Sequence, residues 1–399
     1  MWQGDPLSPI LFNIVVDMLA ILISRAKEAE QIHGVVPHLV DEGLSVLQYA
    51  DDTVIFMDND LERAKNMKLL LCAFEQLSGL KINFHKSELF CYGVANANQF
   101  EYTQIFGCNV GSFPFRYLGI PMHHRKLMNK DWKHVKERFQ KRLSGWRSKM
   151  LSVGGRLVLI NSVWSSRPMF IMSFFEIPRG ILKKMDYFRS RFFWQSDEHK
   201  KKYRLTKGEV VCAPKDQGGL GVLNLGVHNK CLLSKWLFKL INGDGVWQKL
   251  LKNKYLRDKT LTQVQYMPGD SQFWAGLMNV KGEFLSMGRF DLGDGSQVCF
   301  WEDSWITPRP FKTLFASLYN IVRKKSASVR TVLSMTPLNI AFRRSLMGVN
   351  LQAWHNVVAM VADAHLRNQM DRFVWGLHQK GLFSVNSMYR ALLGVQALP

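Results

Sequence analysis

Close cysteine pairs are absent from this chain: Cys72, Cys91, Cys108, Cys212, Cys231 and Cys299 lie far apart in sequence. That spacing argues against a disulfide framework and against a structural zinc site, and nothing at Met1 resembles a secretory leader, so a reducing compartment and no secretion are expected. Cys212, His228 and Cys231 lack the paired spacing of zinc ligands, and no bound zinc is expected. Long hydrophobic runs are scarce as well. The most apolar early stretch, Ile10 to Ile23, is interrupted by Asn13 and Asp17, so no segment is expected to reach the roughly 20 apolar residues of a membrane span, and no membrane partner is expected. A phosphate-binding loop is missing too, because Gly218-Gly219-Leu220-Gly221 is followed by no GK[ST], and these glycines are expected to build a tight turn before a helix near 229–241.

What is present is a globular composition with a divided charge. The 399 residues, 47% hydrophobic and 12% aromatic, suffice for two or three domains with their own cores. Residues 1–120 hold 8 basic against 14 acidic side chains, residues 121–210 hold 22 against 7, and the remainder 23 against 11. An acidic first part followed by strongly basic parts suits a polyanion laid along one side, bound in a salt-dependent way. A membrane or heparin-like surface would meet the same charge.

The chemistry is concentrated at Tyr49-Ala50-Asp51-Asp52, between two β-branched apolar runs, Leu44 to Gln48 and Thr53 to Met57, that read as the strands of one hairpin. Two adjacent carboxylates at a hairpin tip offer hard oxygen ligands to a divalent cation such as Mg²⁺. Two-metal phosphoryl transfer usually takes a third carboxylate from a neighbouring strand. A solvated turn tip is the plain structural alternative.

Around the hairpin, Ser8-Pro9 reads as a helix start, with the helix running to about Glu30, and Gly4 lets a nucleotide or template backbone approach its amide end. A second helix is bounded by Asp60 as cap and Gly79 as stop. Short strands are expected at Leu80 to Asn83, Ser87 to Tyr92 and Phe115 to Ile120. The fold class is therefore α+β: a hairpin sheet with packed helices over 1–120, a basic helical region over 121–208, an α-rich region over 209–365, and a short last segment, 366–399. In the basic helical region, Trp132, Val135, Phe139, Leu143 and Trp146 form an apolar stripe, while Lys133, Lys136, Arg138, Lys141, Arg142 and Arg147 face elsewhere as candidate contacts to a nucleic-acid backbone. Further helices are expected near Gly155 to Ser165 and Ile181 to Gln195, the latter presenting Lys183, Lys184, Arg189 and Arg191. Asp294-Gly295 reads as a hairpin turn, and the nearby aromatics as a small satellite core.

Gln3-Gly4-Asp5-Pro6-Leu7-Ser8-Pro9 followed by Tyr49-Ala50-Asp51-Asp52 resembles the two reverse transcriptase motifs named B and C, and the chain is most similar to the non-LTR, LINE-type polymerases of plant retrotransposons. The likeness extends to Gly79-Leu80-Lys81-Ile82-Asn83 with Lys86-Ser87 as motif D, and to Arg116-Tyr117-Leu118-Gly119-Ile120-Pro121 as motif E, the primer grip. Pro214 with the glycines, Gly293 to Ser296 and Phe300 to Trp305 resemble the linker of those polymerases, and Asp371 to Tyr389 the entry to their zinc-binding region. The resemblance implies Asp51 and Asp52 as metal ligands with Mg²⁺, Lys86 as proton donor to pyrophosphate, Gln3, Gly4, Tyr49 and Ala50 at the nucleotide and template, and Tyr117, Leu118 and Gly119 at the primer end. It implies a partial polymerase palm over 1–120, a helical thumb over 121–208 and a connector over 209–365, with an RNA template, a DNA primer or duplex and deoxynucleotides as partners, and nuclear residence. Because the sequence opens inside motif B, the fingers and the motif A aspartate belong to a polymerase half that the chain is expected to lack. An inactive polymerase fragment is the resulting expectation, with a non-catalytic basic nucleic-acid-binding remnant as the alternative.

Overall fold

The computed structural model describes residues 5–394 except 124, 129–130, 133–136, 138–150, 165–168, 195–205 and 207. It divides into two compact units, residues 1–124 and 125–399. Helices alternate with small two-stranded sheets, four of them among the described residues, and the class is α+β.

In the first unit, helix α1 (Ser8–Glu28) packs Leu19, Ile23 and Ala26 against Ala64, Met67, Leu71 and Phe74 of α2 (Leu61–Ser78). The α2 boundaries follow local chemistry. Asp60 accepts from the amides of Glu62 at 2.9 Å and Arg63 at 3.1 Å, and Gly79 closes the helix at φ 70°. Those amides, led by that of Arg63, hold the Asp60 carboxyl below its ordinary range. Helix α1 starts differently from the expectation. Ser8 already lies inside the first turn, and the Asp5 carboxylate receives the Leu7 amide at 3.1 Å. A second correction concerns length and apolarity. At 21 residues, α1 is long and apolar enough to cross a membrane, because Asn13 and Asp17 are too few to offset so many aliphatic neighbours. Leu7, Ile10, Leu11, Ile14 and Ile21 form an exposed stripe at helical spacing, opposite the packed one.

Strands β1 (Val46–Tyr49) and β2 (Asp52–Ile55) form the expected antiparallel hairpin. Leu80 to Asn83 is not a strand: the Ile82 amide is taken by the Glu75 carboxylate at 2.6 Å, which ties the segment to α2 instead of a sheet partner. Only β3 (Glu88–Leu89) forms in the next run, parallel to β4 (Asn109–Val110), which follows helix α3 (Gln99–Phe106). Residues 115–120 are likewise not one strand. Leu118 and Gly119, at φ 49° and 80°, turn the chain between β5 (Phe115–Tyr117) and β6 (Ile120–Met122). Positive φ at both central residues is the type I′ pattern that matches strand twist.

The second unit holds two cores. The smaller gathers Trp132, Ile160, Met172 and Ile177 with Ile181, Met185, Phe192 and Phe193 of helix α4 (Arg179–Trp194). Arg189 does not join a basic outer face: it is buried, ion-paired with Asp186, and donates to the Leu223 carbonyl at 2.7 Å. Lys183 and Lys184 do face outward. Between the cores, the glycine cluster is a tight turn. A Cβ on Gly219 would lie 1.9 Å from the Ala213 carbonyl oxygen, and the Gly219 and Gly221 amides already bond Pro214 and Ala213 carbonyls. Asn224 then caps helix α5 (Leu225–Asn242).

The larger core joins α5 to helix α6 (Gln272–Leu285) and buries Phe284, Phe290, Phe300, Trp301, Trp305, Phe311, Phe373 and Trp375. The aromatics of 300–305 thus sit in the largest described core, not in a small satellite. Strand β7 (Gly288–Asp291) pairs antiparallel with β8 (Arg372–Trp375), and Met388 of helix α8 (Val385–Leu392) is buried in the same cluster. Segments on either side of position 365 therefore share one core. Helix α7 (Val349–Val361) contributes Val357 and Val361.

Asp303 is buried there, accepting from the Thr262 hydroxyl and from the Cys299 amide at 2.6 Å. Burial outweighs those bonds and pushes its carboxyl up to about 6. The unfolded chain gives up this proton near pH 4, so the protonated form's contribution to stability is lost as pH climbs from about 4 through 6. Asp303→Asn keeps the amide bond, and its nitrogen can donate to Thr262. Relative to wild type, the melting temperature of D303N should rise across that window and stay level above it. Melting curves at a series of pH values test this, and parallel profiles for the two proteins would refute it.

Candidate metal-binding hairpin

Register places Tyr49 opposite Asp52 and leaves Ala50-Asp51 as a two-residue turn. Side chains alternate along each strand, so Val46, Gln48, Thr53 and Ile55 share one face while Leu47, Tyr49, Asp52 and Val54 share the other. The first face is anchored: Val46 and Ile55 pack on the α1–α2 core, and the Gln48 amide nitrogen lies 3.3 Å from the Thr53 hydroxyl. Leu47 and Tyr49, at 43% and 64% exposure, leave the second face open to solvent beside Asp52. Asp51 and Asp52 are themselves exposed.

The turn carries strain at a site residue. Ala50 has φ 53°, in the left-handed region that costs a residue with a Cβ about 1–2 kcal/mol. Strain of this kind persists where the surroundings fix it, and it aims the two acids away from the core.

Tyr117 stands close enough to feel this charge. Its phenol pKa is raised by burial and by the Asp52 carboxylate. The β5–β6 hairpin, with Leu118 and Gly119 at its tip, thus shares a neighbourhood with Asp52. Lys86 is not brought there by any described contact. It is exposed in the turn after α2, where its amide bonds the Asn83 carbonyl at 3.0 Å and side chain at 3.1 Å. Asp58 and Asp60 are committed elsewhere, to Arg63 and to the α2 cap. Gln3, Gly4, Lys133, Lys136, Arg138, Lys141, Arg142 and Arg147 lie outside the described residues.

The donor set suits a hard divalent cation but is small. Two adjacent carboxylates supply part of the six or more oxygens that Mg²⁺ or Ca²⁺ takes. Among the described residues no group of three or more His, Cys, Asp or Glu side chains is placed to hold a metal ion. The sequence pointed to the acids through the hairpin pattern. The strained turns at Ala50 and Leu118 had no comparable signal, because neither residue type favours φ above zero.

Residues 1–122 match the family model described as reverse transcriptase (RNA-dependent DNA polymerase). Over 277 residues the chain is 31% identical to an Arabidopsis thaliana protein named for ribonuclease H, covering 67% of this chain and 44% of that protein. An uncharacterized mitochondrial protein of the same plant is 31% identical over 149 residues, 36% of this chain and 96% of the relative. A retrovirus-related Pol polyprotein from the type-1 retrotransposable element R2 of Popillia japonica is 22% identical over 328 residues, 78% of this chain and 46% of the polyprotein. The chain therefore spans less than half the length of the first and third of these relatives.

Proposed function

The chain belongs to the reverse transcriptases of non-LTR retrotransposons, and from that premise we propose that its β1–β2 hairpin is a metal-holding element of an RNA-directed DNA polymerase. The observation that carries the reading is a pair of adjacent, exposed carboxylates at a strained hairpin tip. Asp51 and Asp52 would hold the divalent cation, Mg²⁺ by the hardness of the donors, and the bound metal would supply charge stabilisation for nucleotidyl transfer. Tyr117, Leu118 and Gly119 would position the primer end, Gln3, Gly4, Tyr49 and Ala50 the incoming deoxynucleotide and template, and Lys86 would protonate the leaving pyrophosphate. A thumb over 121–208, holding Lys133 to Arg147, would track the phosphates of the template–primer duplex, followed by a connector over 209–365 and the segment 366–399.

Two carboxylates enclose a metal incompletely, which favours a second reading, that this chain alone binds nucleic acid without extending a primer. Two measurements separate the possibilities. Mn²⁺ binding, followed by its electron spin resonance in the presence of primed RNA and a deoxynucleotide, should weaken on the order of tenfold in Asp51→Asn and in Asp52→Asn. An affinity unchanged in both variants would sink the metal-holding role. Primer extension with Mg²⁺ should give no incorporation by this chain, and incorporation abolished by either substitution would overturn the second reading.

A further inference from the structure

Residues 304–362 contain eight Lys and Arg and not one Asp or Glu, the longest stretch of one sign in the chain. The fold condenses part of it into a corner of the second unit. Val322 and Phe342 form an isolated antiparallel bridge, with the Arg323 amide on the Ala341 carbonyl at 2.9 Å and the Arg343 amide on the Ile321 carbonyl at 2.8 Å. Val322 is buried and Phe342 packs edge-on against Trp354 at 5.2 Å, which pins both segments to the core. The neighbouring residues Arg323, Lys324, Arg343 and Arg344 are exposed at one place.

Two other exposed arginines of this unit meet carboxylates: Arg330 pairs with Asp294 at 3.1 Å and Arg367 with Asp291 at 2.5 Å. Among the described residues, none of the four corner cations has such a partner. Next to this segment, Tyr319 already engages an acid. Glu302 accepts from the Tyr319 hydroxyl at 2.5 Å, and Lys325 lies over the Tyr319 ring at 4.4 Å. Arg323 is also pre-set, its Nε donating to the Phe342 carbonyl at 3.2 Å while its terminal nitrogens stay available.

We propose that this corner, Arg323 and Lys324 with Arg343 and Arg344, is a docking surface for the phosphate backbone of a nucleic acid, separate from the hairpin and from the 133–147 basic segment. Several cations held together by backbone bonds, three of them planar guanidinium forks, match a run of phosphates better than scattered surface charge does. Counterion release supplies the affinity, with no reading of bases. The choice of nucleic acid as partner rests on the polymerase reading, whereas the geometry of the corner does not.

Binding of the full chain to a fluorescently labelled DNA duplex, followed by anisotropy over a range of salt concentrations, tests the idea. Replacing all four residues by alanine should lower affinity on the order of a hundredfold near 0.1 M salt and reduce the slope of log K against log salt by about 3. A matched variant with Lys235, Lys249, Lys259 and Lys380 changed to alanine removes the same charge from other exposed positions of the unit. Its slope should stay near that of wild type. Equal losses in the two variants, or no loss in the first, would overturn the proposal. So would a polyglutamate peptide whose binding depends on the corner while duplex binding does not, which would assign the surface to an acidic protein. If the fourfold variant melts early, Arg343→Glu alone, expected to cost about tenfold in affinity, carries the same decision. The hairpin reading is decided separately, by Mn²⁺ binding in Asp51→Asn and Asp52→Asn, so its failure and failure of the corner are told apart.

Discussion

Replacing Asp371 by alanine is expected to cost about 3–5 kcal/mol and to lower the melting temperature of the second unit by roughly 6–15 °C. Asp371 is buried and receives three backbone amides: one oxygen accepts from Gly293 at 2.8 Å and Gly295 at 2.9 Å, the other from Gln297 at 2.9 Å. Bonds to a charged acceptor are worth more than neutral ones, and truncation leaves three donors without partners in a closed site. The backbone cannot easily relax to compensate. A Cβ on Gly293 would meet the Gln369 carbonyl oxygen at 2.2 Å, and Gly295 sits at φ 69°, so the loop is shaped around this carboxylate. Asp371→Asn should cost less, because one oxygen survives to serve two amides while the new nitrogen opposes only the third. Thermal melts of the two variants give the ordering, and an alanine variant that melts within about 2 °C of wild type would show the amides satisfied by water.

Asn229→Ala should destabilise the same unit by about 3 kcal/mol, through a different joint. The Asn229 side chain, almost wholly buried on α5, donates to the carbonyls of Met172 at 2.7 Å and Phe175 at 2.9 Å and accepts from the Ile177 amide at 2.9 Å. One amide group thus satisfies three backbone groups between the helix end at Met172 and the irregular chain at Ile177. Asn229→Asp should be worse, since a carboxylate would face two carbonyl oxygens. Chemical denaturation compares the three proteins. Equal midpoints for alanine and wild type would mean that the segment at 172–177 holds its shape without Asn229.

These two residues also show where sequence reading reaches its limit. The hairpin at Tyr49 to Asp52 and the limits of α2 at Asp60 and Gly79 were legible because each depends on a local pattern: period-two burial, a capping carboxylate, a left-handed stop. The tight turn at Gly218 to Gly221 was legible for the same reason. Asp371 and Asn229 act on partners 74 to 78 and 52 to 57 residues away, and no local pattern encodes that. The strand expected at Leu80 to Asn83 lost to a single carboxylate on Glu75, and Arg189 turned inward to Asp186 and Leu223, although its helix reads as basic. At the candidate site the acids could be read, whereas the approach of Tyr117 to Asp52 required the tertiary fold. The corner built from Arg323 and Arg343 was half legible: the acid-free stretch is visible in the sequence, the bridge that folds it is not.

The pairing of β7 with β8 sets an order of events during synthesis. Gly293 leaves the ribosome 78 residues ahead of Asp371, a wait of about 4 to 15 s at ordinary translation speed. Throughout that interval Phe284 and Phe290 lack the Phe373 and Trp375 rings that later stack on them. A nascent chain in this state offers aromatic surface and an unzipped strand to any chaperone or neighbouring polysome product, so the arrival of β8 is what seals this surface.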